Sequence, residues 1–291
     1  KMIKYNPKTW FKHIVSLKHS DTFTKLWKEL IAIGLLTLGI AYLEVTFVEN
    51  TEPLNSLMQV YSLVGFALSL LLVFRTNTAY DRWWEGRKKW GELVNNSRNL
   101  SLKISTLAKD NDDRAYFRRM ISNFAFAMKE HLREGVALDQ LDLTAKELQE
   151  IESFDHKPNY ILKGLYTRLE VLKQTGALSE QNYIVVDTNM KSFSDIIGAC
   201  ERIKNTPIPY SYSVFFKKFI FLYVTTLPLA FVNSFGYYSS IVSIFVFYIL
   251  VSMEILAEEI EDPFGTDDND LPTDGLSEKI KSNIHEILAD D

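Results

Sequence analysis

Apolar positions are bunched along this chain. Leu30 to Leu43 carries no charge, and Val45 to Val48 extends that run past Glu44. The 22 residues from Pro53 to Phe74 and the 35 from Phe219 to Met253 are also uncharged. A membrane span needs about 20 mostly apolar residues. The 35-residue run is too long for one span at ~1.5 Å per residue, and it divides at the polar, Gly-containing turn Asn233-Ser234-Phe235-Gly236. The pattern therefore predicts four transmembrane helices, at about 27–48, 54–74, 217–234 and 237–255. Single buried helices of this character are common in soluble proteins, but four such runs are not. No small-residue cleavage site follows the first run, so it reads as a span and not as a signal peptide.

The roughly 140 residues between the second and third spans are more polar, and their apolar positions recur at helical spacing. Trp90, Leu93, Val94 and Leu100 form one such set, and Phe117, Ile121, Phe124 and Met128 another. Gly135 and the Asp155–Pro158 region are expected to break this stretch into several helices. Thr144 with Glu147 three residues on predicts a capped helix start. Asp112 and Asp113 beside Asn111 read as another helix start, not as an acid–base pair. Pro207 and Pro209 interrupt the chain before the third span, and Pro228 predicts a kink within it. The expected organisation is an N-terminal cytoplasmic segment (1–26), membrane helices 1 and 2 (27–81), a cytoplasmic helical domain (82–216), membrane helices 3 and 4 (217–255) and an acidic cytoplasmic C-terminal segment (256–291).

Charge orients these spans. Residues 1–28 hold seven lysines against Asp21 alone, whereas the first loop has Glu44, Glu49 and Glu52 and no base. Arg75, Arg82, Arg87, Lys88 and Lys89 follow the second span, and Lys217 and Lys218 open the third. All the basic clusters fall on one side, which predicts that both termini are cytoplasmic. The net charge of −5 conceals a split, because residues 254–291 hold 13 acids and two lysines. Such a run usually reads as a solvated tail.

Composition removes several kinds of chemistry. One cysteine, Cys200, leaves no disulfide framework, and the five histidines include no i, i+4 pair for a helical metal site. There is no phosphate-cradling glycine loop and no G-x-S-x-G. The expectation is a membrane protein that is not an enzyme and does not bind nucleic acid. In the second span Phe66, Leu70 and Phe74 recur at i, i+4 and i+8 and make one stripe, with Ser62, Gly65 and Ser69 as small residues for close helix contact. By pattern alone the stripe reads as packing or a lipid face. In a ring of identical helices it would instead be a dewetting constriction.

The segment Phe74-Arg75-Thr76-Asn77-Thr78-Ala79-Tyr80-Asp81-Arg82-Trp83-Trp84-Glu85-Gly86-Arg87 resembles the hallmark of bacterial bestrophins. Asn205-Thr206-Pro207-Ile208-Pro209-Tyr210 and Asp262-Pro263-Phe264-Gly265-Thr266-Asp267-Asp268-Asn269-Asp270 agree with it, in the same order along the chain. The resemblance implies an all-α membrane protein in a bacterial inner membrane. It would be a homopentamer around one axial pore, with four transmembrane helices and a helical cytoplasmic domain per subunit. It implies that Phe66, Leu70 and Phe74 form the pore neck, and that one aliphatic residue, placed at Ile184 with Val185 next to it, forms a cytoplasmic aperture. Eukaryotic members hold Ca²⁺ at the acidic turn. The matching candidates are Asp262, Asp267 and Asp270 with Glu259, while Thr266 and Asn269 stand where the eukaryotic run has acids. No cofactor is required.

The permeant species is expected to be a monovalent cation, Na⁺ or K⁺, because an acidic C-terminal segment facing the pore would concentrate cations. The bacterial form of the motif points the same way. The alternatives are a chloride channel of the same fold and a non-conducting membrane-anchored sensor or scaffold.

Overall fold

The computed structural model describes residues 22–48, 56–135 and 137–289. Lys1, Lys4, Lys8, Lys12 and Lys18 of the expected basic segment, and Glu49 and Glu52 of the first loop, lie outside the described residues. Every regular element among the described residues is helical. In chain order they are α1 (Thr22–Phe47), α2 (Leu57–Leu107), α3 (Asn111–Leu132), α4 (Ala145–Glu152), α5 (Lys157–Gln174), α6 (Glu180–Asn205), α7 (Tyr210–Thr226), α8 (Pro228–Phe235), α9 (Ser239–Glu261) and α10 (Thr273–Ile287), with a short 3-10 turn at Gly236–Tyr238.

Among the described residues, three stretches are long and apolar enough to cross a membrane: Thr22–Phe47, Leu57–Leu107 and Tyr210–Glu261. The chain divides into two compact units. One is drawn from residues up to Asp81 together with Pro207–Glu261, the other from Arg82–Thr206 with Asp262–Asp291.

In the apolar unit α9 packs most extensively on α1, and also lies back along α7 and α8. The 52-residue stretch is therefore a hairpin. Its reversal falls at Gly236, whose φ of +52° is a conformation that favours glycine. Pro228 opens α8 directly after Leu227, where a residue lacking an N–H cannot continue the preceding helix. Small residues bring α1 and α9 together. A Cβ on Gly34 would lie 2.8 Å from Ile244, and the Thr37 and Ser240 hydroxyls are 3.2 Å apart. Leu26, Leu30, Ile33, Leu68, Leu72, Phe216, Ile220, Val224, Phe247 and Leu250 form this unit's core.

The second span does not stop at Phe74, as hydropathy predicts, but continues as one helix of 51 residues. Residues 75–107 contain charges but no proline, and a change from apolar to polar composition does not interrupt backbone hydrogen bonding. A single buried stripe runs the length of α2: Leu68, Leu72, Arg75, Ala79, Gly86, Trp90, Leu93, Ser97, Leu100 and Ile104. Its spacing of three, four or seven residues keeps one face inward throughout.

In the second unit Trp90, Leu93 and Leu100 meet Phe117, Phe124, Leu165, Phe193, Ile197, Ile280 and Ile284 in one core. The expected capping box is present: Thr144 N–H donates to Glu147 Oε2 at 2.8 Å, and Glu147 N–H donates to Thr144 Oγ1 at 3.4 Å. Asp112 and Asp113 occupy the first turn of α3, behind the Asp110 cap.

Two sequence boundaries move. Residues 207–216 belong with the apolar unit, since the Ile208 N–H donates to Glu261 Oε1 at 2.6 Å. The acidic C-terminal segment is not a solvated tail, because Phe264, Leu271, Ile280 and Ile284 are buried in the second unit's core.

Candidate functional site: an exposed stripe and a motif junction

At ~100° per residue, Phe66, Leu70 and Phe74 centre about 170° around α2 from Leu68, Leu72, Arg75 and Ala79. The first three are 68%, 46% and 55% exposed, and the other four are buried. The stripe thus occupies the face of α2 turned away from its own subunit's core. Leu63 extends it toward the helix start, and Gln59 and Asn77 place polar groups near its two ends on the same face. Gly65 lets α7 approach, since a Cβ there would lie 2.5 Å from the Tyr223 hydroxyl, which donates to the Tyr61 carbonyl at 3.3 Å. Ser62 and Ser69, expected as contact residues, are exposed and donate to their own helix at Met58 O and Gly65 O.

Immediately beside the stripe in sequence, Arg75 turns the opposite way and is fully buried. Its Nη2 donates to Glu261 Oε2 at 2.7 Å, and its Nε lies 3.7 Å from Glu254 Oε1. Glu261 spends its other oxygen on the Ile208 amide. One arginine thereby ties α2 to α9 and to the segment before α7. Sequence reading counted Arg75 among the bases that follow the second span and identified neither partner. The available signal was a charge at each edge of an apolar run, which is costly there unless paired.

The three family-like segments meet in the second unit. Arg82 donates to the carbonyls of Thr206 and Ile203. Trp83 Nε1 donates to Asn269 O at 3.0 Å, and a Cβ on Gly86 would lie 3.1 Å from Phe264 and 3.2 Å from Pro263. Glu85 accepts from Arg202 at 2.7 Å. Trp83 serves as a clamp on the 262–270 turn, and Trp84 is exposed.

That turn is organised around Asp270, which is buried. Its Oδ2 accepts the Asp267 N–H at 2.6 Å, its own N–H donates to Asp267 O at 3.1 Å, and among the described residues its Oδ1 has no hydrogen-bond partner. Burial pushes its carboxyl up to about 7, although the Asp267 amide pulls the other way. Asp262 and Asp267 are exposed, and Glu259 pairs with Lys25 in the apolar unit. Among the described residues, the carboxylates of Asp262, Asp267 and Asp270 are not drawn together at metal-ligand spacing. The turn is a hydrogen-bonded staple closed by Asp267 and Asp270.

Ile184, near the start of α6, is 62% exposed, and Val185 is exposed beside it. Lys103 holds this part of α6 by donating to Val185 O at 2.7 Å and Asn189 Oδ1 at 2.6 Å. Cys200 is buried, with its thiol pushed up to about 12 by burial, and is an inert core residue.

Among the described residues, five of the 13 C-terminal acids that motivated cation passage face a base. Glu254 and Glu261 face Arg75, Glu258 pairs with Lys217, and Glu259 pairs with Lys25. Asp274 accepts from Arg133 at 2.9 Å and Lys129 at 3.0 Å, and the Arg133 hydrogen bonds hold its carboxyl down to about 2.

The profile of the bacterial/fungal bestrophin family matches residues 1–286. A voltage-dependent anion channel-forming protein of Nostoc sp. is 31% identical over 289 residues, covering 97% of this chain and 92% of that protein. A protein of the same description from Ralstonia nicotianae is 30% identical, over 89% of this chain and 84% of its own. Among solved structures, a bacterial bestrophin homologue from Klebsiella pneumoniae superposes with a TM-score of 0.83 at 27% identity, covering 91% of this chain and 99% of that one. These relatives are channels, in line with the expected non-enzyme. Their names support the anion alternative over the cation passage expected from sequence.

Proposed function

The chain belongs to the bacterial/fungal bestrophin family, and on that premise we propose that it is the subunit of an anion-conducting homopentameric channel in the bacterial inner membrane. The supporting observation is the direction of the Phe66–Leu70–Phe74 stripe, which leaves three large apolar side chains exposed opposite the subunit's own core. In a ring of α2 helices these side chains form the neck, where an ion must shed water against surfaces that cannot replace it. Ile184 forms the second, cytoplasmic constriction. The four passes are α1, the first part of α2, α7 with α8, and α9, with both termini cytoplasmic.

Anion passage rests on the relatives' names, and the pairing of several C-terminal acids reduces the free negative charge that would favour cations. The reading requires no cofactor. Ca²⁺ at the acidic turn would need Asp262 and Asp267 to close onto the free Asp270 Oδ1.

The test is the reversal potential of purified protein in a planar bilayer under an asymmetric NaCl gradient. A value near the chloride equilibrium potential is expected, and one near the sodium potential would overturn anion selectivity. Alanine at Phe66, Leu70 or Phe74 is expected to raise flux. Unchanged flux in all three variants would remove the neck assignment. A protein that is monomeric by native mass spectrometry and carries no current would return the scaffold reading.

A further inference from the structure

Two histidines and one glutamate that the channel reading does not use converge in the second unit. His131 lies in the last turn of α3, His156 is the cap of α5, and Glu201 lies in the last turns of α6. His131 Nε2 is 2.7 Å and His156 Nε2 is 2.8 Å from the same oxygen, Glu201 Oε1, and the two rings are 4.3 Å apart. Among the described residues they form the one set of His, Cys, Asp and Glu whose ligand atoms all fall within 4.8 Å of one another. All three side chains are about a quarter exposed, at 25%, 28% and 28%, so an ion can reach them. His131 and Glu201 border a cavity of about 320 Å³ that Glu134, Asp155 and Lys204 also line.

We propose that His131 Nε2, His156 Nε2 and a Glu201 carboxylate oxygen form a site for one zinc-class divalent ion, with water from the adjoining cavity in the fourth position. Two imidazoles and a carboxylate are a set that Zn²⁺ takes, and hard Ca²⁺ or Mg²⁺ do not favour nitrogen. Tetrahedral bonds of about 2.1 Å put ligand atoms roughly 3.4 Å apart. Each histidine nitrogen, now 2.7 or 2.8 Å from Glu201 Oε1, needs to move away from it by only about 0.6 Å, and the three groups come from three separate elements. The nearest lysines are engaged elsewhere: Lys204 lies 3.2 Å from Glu134, and Lys157 donates to the carbonyls of Ile151, Glu152 and Phe154.

Binding has a built-in structural consequence. His156 Nδ1 accepts the Asn159 N–H at 3.1 Å, so its proton sits on Nε2 and is donated to Glu201. A metal on Nε2 needs that lone pair, so the proton moves to Nδ1, where it evicts the Asn159 amide. His131 makes the same Nε2-to-Nδ1 exchange, so each imidazole proton moves within its own ring. Zinc therefore links α3 and α6 to His156 while uncapping α5.

The experiment is Zn²⁺ titration by calorimetry on the full-length protein in nanodiscs, with Co²⁺ absorption as a report of tetrahedral geometry. One ion per subunit is expected, with affinity falling at least tenfold in His131→Ala, Glu201→Gln and His156→Asn. The asparagine is chosen because it keeps an oxygen to cap α5, so that variant stays folded. Equal uptake by wild type and His156→Asn, or no tetrahedral Co²⁺ spectrum, would overturn the site. Hydrogen exchange at the Asn159 amide is expected to accelerate when Zn²⁺ is added. Zinc binding that leaves this amide unchanged would overturn coordination through His156 Nε2. None of these readouts depends on ion conduction.

Discussion

The two halves of α2 follow one periodicity and opposite rules. After Arg82 the buried large apolar positions are Trp90, Leu93, Leu100 and Ile104, and the other face carries polar residues such as Lys88, Asn95 and Asn99. Before Arg75 the core face holds only Leu68 and Leu72, while Val60, Leu63, Phe66, Leu70, Val73 and Phe74 are exposed. A water-facing surface does not carry a contiguous set of large apolar side chains without a partner for it. The first half therefore faces lipid, other subunits or a dry pore. The shared lesson is that helical phase reports which face meets the chain's own core, and composition reports what covers the opposite face.

The largest effect that could break this contrast is Trp90→Ala. That indole is fully buried, and its loss is expected to cost about 3–5 kcal/mol. Leu70→Ala, at a position 46% exposed, is expected to cost under about 1 kcal/mol in the isolated subunit. Thermal melting of both variants checks the pair, and equal losses would refute the two-faced reading of α2.

Arg75→Ala comes next in size. It leaves the carboxylates of Glu261 and Glu254 buried without their cation, a loss of about 3–5 kcal/mol. Adding Glu254→Gln and Glu261→Gln should recover part of the melting temperature. No recovery would show that Arg75 acts by packing alone.

Gly65→Ala is smaller. Its new methyl meets the Tyr223 hydroxyl, and overpacking of this kind costs about 1–3 kcal/mol. Tyr223→Phe removes the clashing oxygen and should suppress the defect. If it does not, the close approach of α2 and α7 at Gly65 is not the cause.

The smallest effect is a pH dependence. The Asp270 carboxyl is raised from 3.8 to about 7, so the folded state binds its proton more tightly than the unfolded chain. Its contribution to stability is then lost as pH rises between about 4 and 7. Asp274, held down at about 2 by Arg133, works in the opposite sense and stabilises above pH 4. Denaturation of Asp270→Asn across this range should show a shallower decline toward neutral pH than wild type. A parallel curve would show that Asp270 is not the titrating group.

Much of the architecture was legible because its signals are local. Thr144 and Glu147 announced the start of α4, Pro207 and Pro209 the break before α7, and Gly236 the reversal before α9. The stripe of Phe66, Leu70 and Phe74 could be listed from spacing, although spacing could not say which way it faced. The end of the second helix was misplaced because loss of hydropathy was taken as loss of helix. The acidic C-terminal segment was read by its charge, whereas Leu271, Ile280 and Ile284 determine where it lies.

By itself the sequence determined the helical class, the apolar runs and three motifs, because periodicity, breakers and charge act within a few residues. Tertiary structure decided that Arg75 meets Glu254 and Glu261, that Trp83 and Gly86 close on residues 263–269, and that His131, His156 and Glu201 share one point. Those partners lie between 45 and 186 residues apart. Burial forces each such polar group to find a partner. Which partner it finds depends on how whole helices pack, and no local spacing encodes that.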